Sequence, residues 1–346
     1  MQKKVERIVK NVKARAGRRP TGFVIGNTSG LFERGRYYET PLRETHTLVY
    51  GGVIVRDVST AVRIARMVDG KVDYIILDSE KKVEKLYYGR NDVGNIERHV
   101  RQAVGKSTIV TYKGNDLTVE AIDFLLGQIP GDVGGKNIAV IGFGNIGAKI
   151  ALKLVERGAY VRGYRRDQKK LKTIVAGLNL IKSEHTISPI SAAKSIKDAC
   201  KGANAVIAAA DSRGIIGGEH LKELDRSAAP ILIDVGKGCF RSDVTKGGQY
   251  VVYRIDVSMV QKHNFSALLE TAAHYGKSLG RRSIKGHNIR LVSLGLLGGY
   301  GEIIVDDIRK PRAIIGIADG RGSLLKNTKK FLPQLKKLRS MYGIRA

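Results

Sequence analysis

Apolar positions along this chain switch repeatedly between helical and strand spacing, and the switches divide it into short elements. Val5, Ile8, Val9 and Val12 share one face of a helix predicted over Gln2 to Ala16, which Arg18-Arg-Pro20 ends. A strand over Thr21 to Gly26, a turn over Asn27 to Gly30 and a polar loop over Arg34 to Pro41 follow. Thr45 to Val55 alternates as a strand or hairpin. Val58 to Val68 then reads as a helix, Val72 to Asp78 as a strand, Val93 to Val104 as a helix and Thr108 to Tyr112 as a strand. Leu117 to Gly127 is a helix by the spacing of Val119, Ile122, Leu125 and Leu126, and the glycine-rich joint Gly131 to Gly135 comes after it.

Beyond the joint, Asn137 to Ile141 is an apolar strand, and Ala148 to Gly158 has helical spacing and stops on glycine. Between them stands Gly142-Phe143-Gly144-Asn145-Ile146-Gly147, and a second strand, Ala159 to Tyr164, completes a strand–helix–strand unit. This G-x-G-x-x-G spacing is the dinucleotide-binding fingerprint. Gly142 makes the tight turn, Gly144 lets main chain approach a pyrophosphate, and Gly147 lets the helix pack on the strand. The helix N-terminus adds unpaired N–H groups and the positive end of a dipole. Further helices are predicted over Lys169 to Ala176, Ser191 to Cys200, Gly218 to Leu224 and Ser266 to Gly276. Further strands cover Ala205 to Ala209, Pro230 to Val235 and Tyr250 to Val257. Gly295 to Gly301 is glycine-rich, and a basic helix over Leu324 to Met341, interrupted by Pro333, closes the chain.

The second strand of the unit ends in Tyr164-Arg165-Arg166-Asp167. An acid at that tip accepts the ribose 2′-OH of NAD, whereas a guanidinium pair suits the 2′-phosphate of NADP. NADP is therefore the preferred expectation and NAD, with Asp167 as its acid, the alternative. At 346 residues, with 42% hydrophobic composition, the chain is long enough for two cores. No apolar run has membrane-spanning length and the N-terminus has no signal-peptide core. With only Cys200 and Cys239, an intracellular, cytoplasmic setting is expected.

Charge complicates the picture. Sixty-one basic residues stand against 32 acidic ones, a net +29. Met1 to Pro20 holds eight basic residues and one acid, and Gly322 to Ala346 holds no acid. Basic surface helices serving solubility are the favoured reading, and an anionic substrate and a phosphorylated cofactor would also sit comfortably in such a field. A nucleic-acid partner is the weaker reading, since no nucleic-acid-binding signature is legible. The scattered histidines lack ligand spacing, so no metal site is expected. A homodimer is an open possibility.

Ala203 to Lys222, with Ala209-Ala-Asp-Ser-Arg-Gly-Ile-Ile-Gly-Gly218 inside it, and the strand end Ile233-Asp-Val-Gly236 resemble the later strands of methylenetetrahydrofolate dehydrogenase/cyclohydrolases. The helix ahead of the joint and the Lys136 to Gly142 strand are similar to those of shikimate dehydrogenases. The resemblance covers roughly residues 113 to 257. It implies an α/β protein of two domains. Residues 1–127, with 310–346 returning as a terminal helix to the first domain, would form an N-terminal α/β substrate domain. Residues 128–309 would form a doubly wound, parallel-sheet Rossmann domain. NAD(P) would lie between them, with Gly236 at the cofactor.

The first domain carries neither family's substrate motif intact, so the resemblance names no substrate. Lys113-Gly-Asn115-Asp116 stands where shikimate dehydrogenases carry N-T-D-G, and Lys113 and Asp116 are the leading proton-handling pair. Asp78, Glu44 and His46 are secondary candidates. The expected function is an NAD(P)-dependent oxidoreductase acting on a C=O or C=N group of a small polar or anionic metabolite. A nucleotide-binding protein with polyanion-binding termini and a C–N lyase or synthase are the alternatives.

Overall fold

The computed structural model describes residues 1–28, 37–82, 95–129, 131–227 and 229–344, the side chain of Lys277 apart. The chain divides into two compact units, Met1–His263 and Asn264–Ala346. It is an α/β protein, and the first unit holds two sheets.

The first sheet contains β1 (Thr21–Asn27), β2 (Tyr37–Glu44), β3 (Val49–Val55), β4 (Tyr74–Asp78) and β5 (Thr108–Tyr112), ordered β2-β3-β1-β4-β5. All run parallel except β2. One face is covered by α1 (Gln2–Ala16), α2 (Val58–Val68) and α3 (Ile96–Ala103), whose Val5, Val12, Ile64 and Val100 pack with Phe23, Ile25, Ile75 and Leu77. Strand β2 falls partly where a polar loop was expected. Its Pro41 is tolerated because β2 is an edge strand and its register shifts between Thr40 and Arg43. The rest of that loop, part of the turn before it and the first residues of the helix expected from Val93 lie outside the described residues.

Helix α4 (Gly114–Gln128) leads to the second sheet, buries Val119, Ile122 and Leu126 in that sheet's core, and packs on α5 (Asn145–Glu156). The strands are β6 (Asn137–Ile141), β7 (Tyr160–Tyr164), β8 (Ile190–Ala192), β9 (Ala205–Ala208), β10 (Ile231–Asp234) and β11 (Val252–Arg254). All are parallel, in the order β11-β10-β9-β6-β7-β8. The helices are α6 (Gln168–Ile181), α7 (Ile196–Cys200), α8 (Gly218–Leu221) and α9 (Ser242–Thr245). The helix expected over Ser191 to Cys200 is instead an edge strand followed by α7. Ser195 starts that helix by accepting the Asp198 amide at 3.0 Å.

Helix α10 (Val257–Lys277) spans the division between the units. The second unit has a sheet of its own, β12 (Arg281–Ile284), β13 (Ile289–Ser293), β14 (Ile303–Val305) and β15 (Ile314–Ile317), in chain order. Residues 281–309 thus contribute nothing to the parallel sheet expected to contain them. Their strands are three to five residues long and separated by glycine-rich turns, too short for a period to show. The closing helix α11 (Leu332–Tyr342) has Pro333 in its first turn, where a missing N–H does no harm. The terminal helix was expected to return to the first domain. Instead Leu338 is fully buried with Ile289, Leu291, Ile303 and Ile317 of this unit's own sheet. No described helix is long and apolar enough to cross a membrane.

Candidate functional site

The second sheet reverses direction at β6. From there the chain runs to β7 and β8 on one side, then crosses to β9, β10 and β11 on the other. The crevice beyond the strand ends at such a reversal is the ligand position of open parallel sheets. A cavity of about 660 Å³ opens there, lined by Gly142 to Ile146, Tyr164 to Asp167 and Ala209 to Ser212.

Each glycine of the fingerprint has a distinct steric reason. Gly142 has φ +97°, and a Cβ would stand 2.3 Å from the Ala210 amide nitrogen. A Cβ on Gly147 would meet the Gly142 carbonyl oxygen at 2.4 Å, so this glycine lets α5 lie on its strand. Gly144 differs, for nothing lies within 4 Å of where its Cβ would be, and that empty space is the cavity. Gly144 is also the N-cap of α5 and supplies no side-chain cap. The first amides of that helix therefore face the cavity without intrahelical acceptors.

The remaining predicted residues divide. The main chain of Phe143 lines the cavity, but its ring is buried in the core against Gly163, where a Cβ would be 2.3 Å from it. Asn145 and Ile146 line the opening, as do Arg165 and Arg166. An Arg165 Nη1 donates to the Phe143 carbonyl at 3.3 Å, which turns this guanidinium toward the fingerprint. Asp167 accepts the Lys170 amide at 2.9 Å as the N-cap of α6. Gly236 is not among the cavity's lining. Its amide donates to Asp234 Oδ1 at 2.9 Å, and the Asp234 carboxylate also takes the amides of Lys237 and Gly238, folding the loop after β10.

Lys113 and Asp116 come within 4.0 Å of each other but do not line the cavity. Lys149 of α5 takes the Asp116 carboxylate at 2.5 Å. Further along both helices, Lys153 and Arg157 take Asp123. Both acids thus clasp α4 to α5. Burial tends to raise the Asp123 carboxyl, but its two cations hold it below the ordinary range. Glu44 is similarly claimed by Arg15 and Arg19, and His46 is exposed.

Asp78 belongs to a polar cluster that the sequence reading only touched. It is 2% exposed at the end of β4. Lys82 Nζ lies 2.7 Å from Asp78 Oδ2 and 3.2 Å from Glu80 Oε2. Glu80 accepts both the main-chain amide of Asn115 at 3.1 Å and its side-chain Nδ2 at 2.6 Å. Asn115 also reaches Asn145 Oδ1 at 3.3 Å and lines the cavity, so one side chain borders both the cluster and the fingerprint. The i, i+4 spacing of Asp78 and Lys82 was the available signal, but it falls after a strand rather than on a helix.

The sequence profile of the NAD-binding domain of 6-phosphogluconate dehydrogenase matches residues 137–236. This segment is a Rossmann-type NAD-binding domain. No curated protein sequence matches the chain. Among solved structures, ornithine carbamoyltransferase from Pyrococcus furiosus is similar at 11% identity and a TM-score of 0.43, over 78% of this chain and 93% of that one. The enzyme of the same name from Gloeobacter violaceus gives 14% and 0.42, over 78% and 92%. An N-acetyl-L-ornithine transcarbamylase gives 10% and 0.44, over 78% and 95%. Scores this low assign no activity to this chain.

Proposed function

We propose that this protein is an NAD(P)-dependent oxidoreductase acting on a C=O or C=N group, or its reduced form, of a small polar or anionic metabolite. The observation that carries the reading is the uncapped N-terminus of α5, opening at Gly144 into a cavity with no side chain in the way. The donors present fit a nicotinamide dinucleotide: the first amides of α5 for the pyrophosphate, and Arg165 with Arg166 for the adenosine end. Bound there, the cofactor would supply or accept hydride.

NADP is the preferred form. Asp167, the acid available for a ribose 2′-OH, is engaged as a helix cap, while two guanidinium groups stand at the same strand tip. Titration with NADPH and with NADH, read by nucleotide fluorescence or calorimetry, tests the proposal. Micromolar binding of NADPH, weaker binding of NADH, and quenching lost on Gly144→Val are the expected outcome. No binding of either nucleotide at millimolar concentration discards it.

A further inference from the structure

Residues 264–346, the second unit, hold sixteen basic and five acidic residues. Four of the five acids are engaged. Asp306, Asp307 and Asp319 accept main-chain amides of the turns beside them. Buried Glu302 pairs with Arg281 and takes the Gly299 amide. Arg290, Arg321, Lys329 and Lys330 are exposed, and among the described residues none of them has a carboxylate partner.

The sheet of this unit has two unlike faces. One carries Ile289, Leu291 and Ile303 against Leu338 of α11. The other carries Arg281, Arg290 and Val292, since Arg281 pairs with Val292 and Arg290 with Ser283. Two glycine-rich segments cover this second face. Gly298 lies on Val292, where a Cβ would stand 3.2 Å from that side chain and 2.5 Å from Ala318. A Cβ on Gly320 would stand 3.1 Å from the Tyr300 amide nitrogen, and Gly322 faces Leu297. Segments 295–301 and 319–324 therefore lie side by side, with Arg321 between the two glycines of the second. Arg290 donates to the Tyr300 carbonyl at 3.2 Å and Arg281 to that of Leu297 at 2.5 Å, which holds two guanidinium groups against the first segment.

Exposed rings stand at both ends of that first segment. Tyr300 is 56% exposed, and Phe331, which follows Lys329 and Lys330, meets its ring at 66° with centroids 6.1 Å apart. Tyr275, 54% exposed, lies beside Gly295. A surface serving solubility interleaves both signs of charge and exposes few large apolar groups. Here cations stand without carboxylates, and Leu297 is exposed as well as the two tyrosines. A ring beside a cation fixed to its own carbonyl offers what each nucleotide of a strand needs, a face for the base and a charge for the phosphate. A lipid headgroup would use the cations and leave the rings unexplained.

We propose that this face of the second unit binds single-stranded nucleic acid, with Tyr300 and Tyr275 stacking on bases and Arg290, Arg321, Lys329 and Lys330 taking phosphates. The inference is independent of the oxidoreductase reading. Nothing in the sequence announces it, because strand pairing and glycine contacts, rather than spacing, bring these residues to one face.

The test is fluorescence anisotropy of the full chain with labelled oligo(U) and oligo(dT) of about 20 nucleotides, long enough to fill one site. Binding of either strand is expected, with a Kd that rises with salt at a log–log slope of about 3 for four phosphate contacts. Tyr300→Ala is expected to weaken binding about tenfold and Tyr300→Phe to leave it unchanged. Arg321→Gln combined with Lys330→Gln is expected to weaken it about tenfold near 0.1 M salt. Removing the same charge from α1, by Lys3→Gln with Lys10→Gln, is expected to change nothing. Tm is read for every variant. Photo-cross-linking of 4-thiouridine-labelled oligo(U) to the parental chain, expected within residues 275–330, locates the strand without any substitution. The proposal is overturned if neither strand binds, if a duplex of the same length binds as tightly, or if folded Tyr300→Ala binds as the parent does. It is equally overturned by equal losses from the α1 pair, by cross-links confined to residues 1–263, or by phosphatidylserine vesicles that bind the chain when neither strand does.

Discussion

Replacing Gly144 by alanine separates a binding role from a folding role. The residue has φ −100° and ψ −150°, ordinary extended backbone, and a Cβ there touches nothing within 4 Å. Alanine is a poorer N-cap than glycine, a loss of up to about 1 kcal/mol. It also restricts the unfolded chain, a gain of about 0.4–1 kcal/mol. The two nearly cancel, and Tm should move by no more than about 2–4 °C. Binding should respond differently. The methyl group enters the space a pyrophosphate oxygen must occupy and interferes with at least one charge-assisted hydrogen bond, worth about 1.5–3 kcal/mol. The NADPH Kd is therefore expected to rise at least about tenfold, since 1.4 kcal/mol is one decade. Fluorescence titration beside thermal unfolding reads both numbers on one sample. Gly142→Ala is the contrast, because its Cβ would stand 2.3 Å from main chain at φ +97°. It should lower stability by about 3 kcal/mol. Parental NADPH affinity in Gly144→Ala would refute the idea that main chain approaches the diphosphate there.

Three further outcomes follow from the geometry. Removing both Arg165 and Arg166 by alanine substitution should weaken NADPH about tenfold or more and leave NADH unchanged; equal losses for both nucleotides would place the pair away from the 2′-phosphate. Asp123→Asn should lower stability by about 1 kcal/mol at pH 7, its cations being partly exposed. Because the folded carboxyl is held below its unfolded value, that contribution is full above the ordinary carboxylate range and is lost as pH falls through the depressed value. Denaturant midpoints of parent and variant should therefore converge as pH falls below the ordinary carboxylate range, and a gap that does not narrow there contradicts the assignment. Burial pushes the Cys200 thiol up to about 12 against the pull of Arg162, and burial together with Asp234 raises Cys239. A thiol reagent at pH 8 should find neither in the native protein and both in denaturant.

The cofactor half of the site was legible because its signal is local. Gly142, Gly144 and Gly147 act within one turn between a strand and the helix it feeds, and each glycine's requirement concerns atoms close in sequence or on the neighbouring strand. Strands β6, β9 and β10, buried in a parallel sheet, announce themselves as apolar runs. Phe143 shows the limit of such reading. It sits inside the motif, yet its ring serves the core, because the absence of a side chain at Gly163 leaves a space that only packing reveals.

The polar cluster at the end of β4 was largely illegible. Asp78, Glu80 and Lys82 lie at and just after the end of β4, Asn27 on β1 and Asn115 at the start of α4, and nothing in the sequence joins these three segments. Lys113 and Asp116 carried the plausible spacing, but Lys149, 33 residues further along the chain, takes the carboxylate. The second unit's sheet escaped notice because its strands are too short to display a period.

Sequence alone determined the α/β character, the phosphate-binding turn and the guanidinium tip, since these depend on backbone geometry and neighbours a few residues away. Tertiary structure alone decided which distant cations clasp each acid, that the terminal helix packs on its own unit's sheet, and that Asn115 borders both the nucleotide cavity and the polar cluster at the end of β4. Charge pairing and burial are settled by whichever distant groups the strand order brings together, and a one-dimensional pattern does not contain that order.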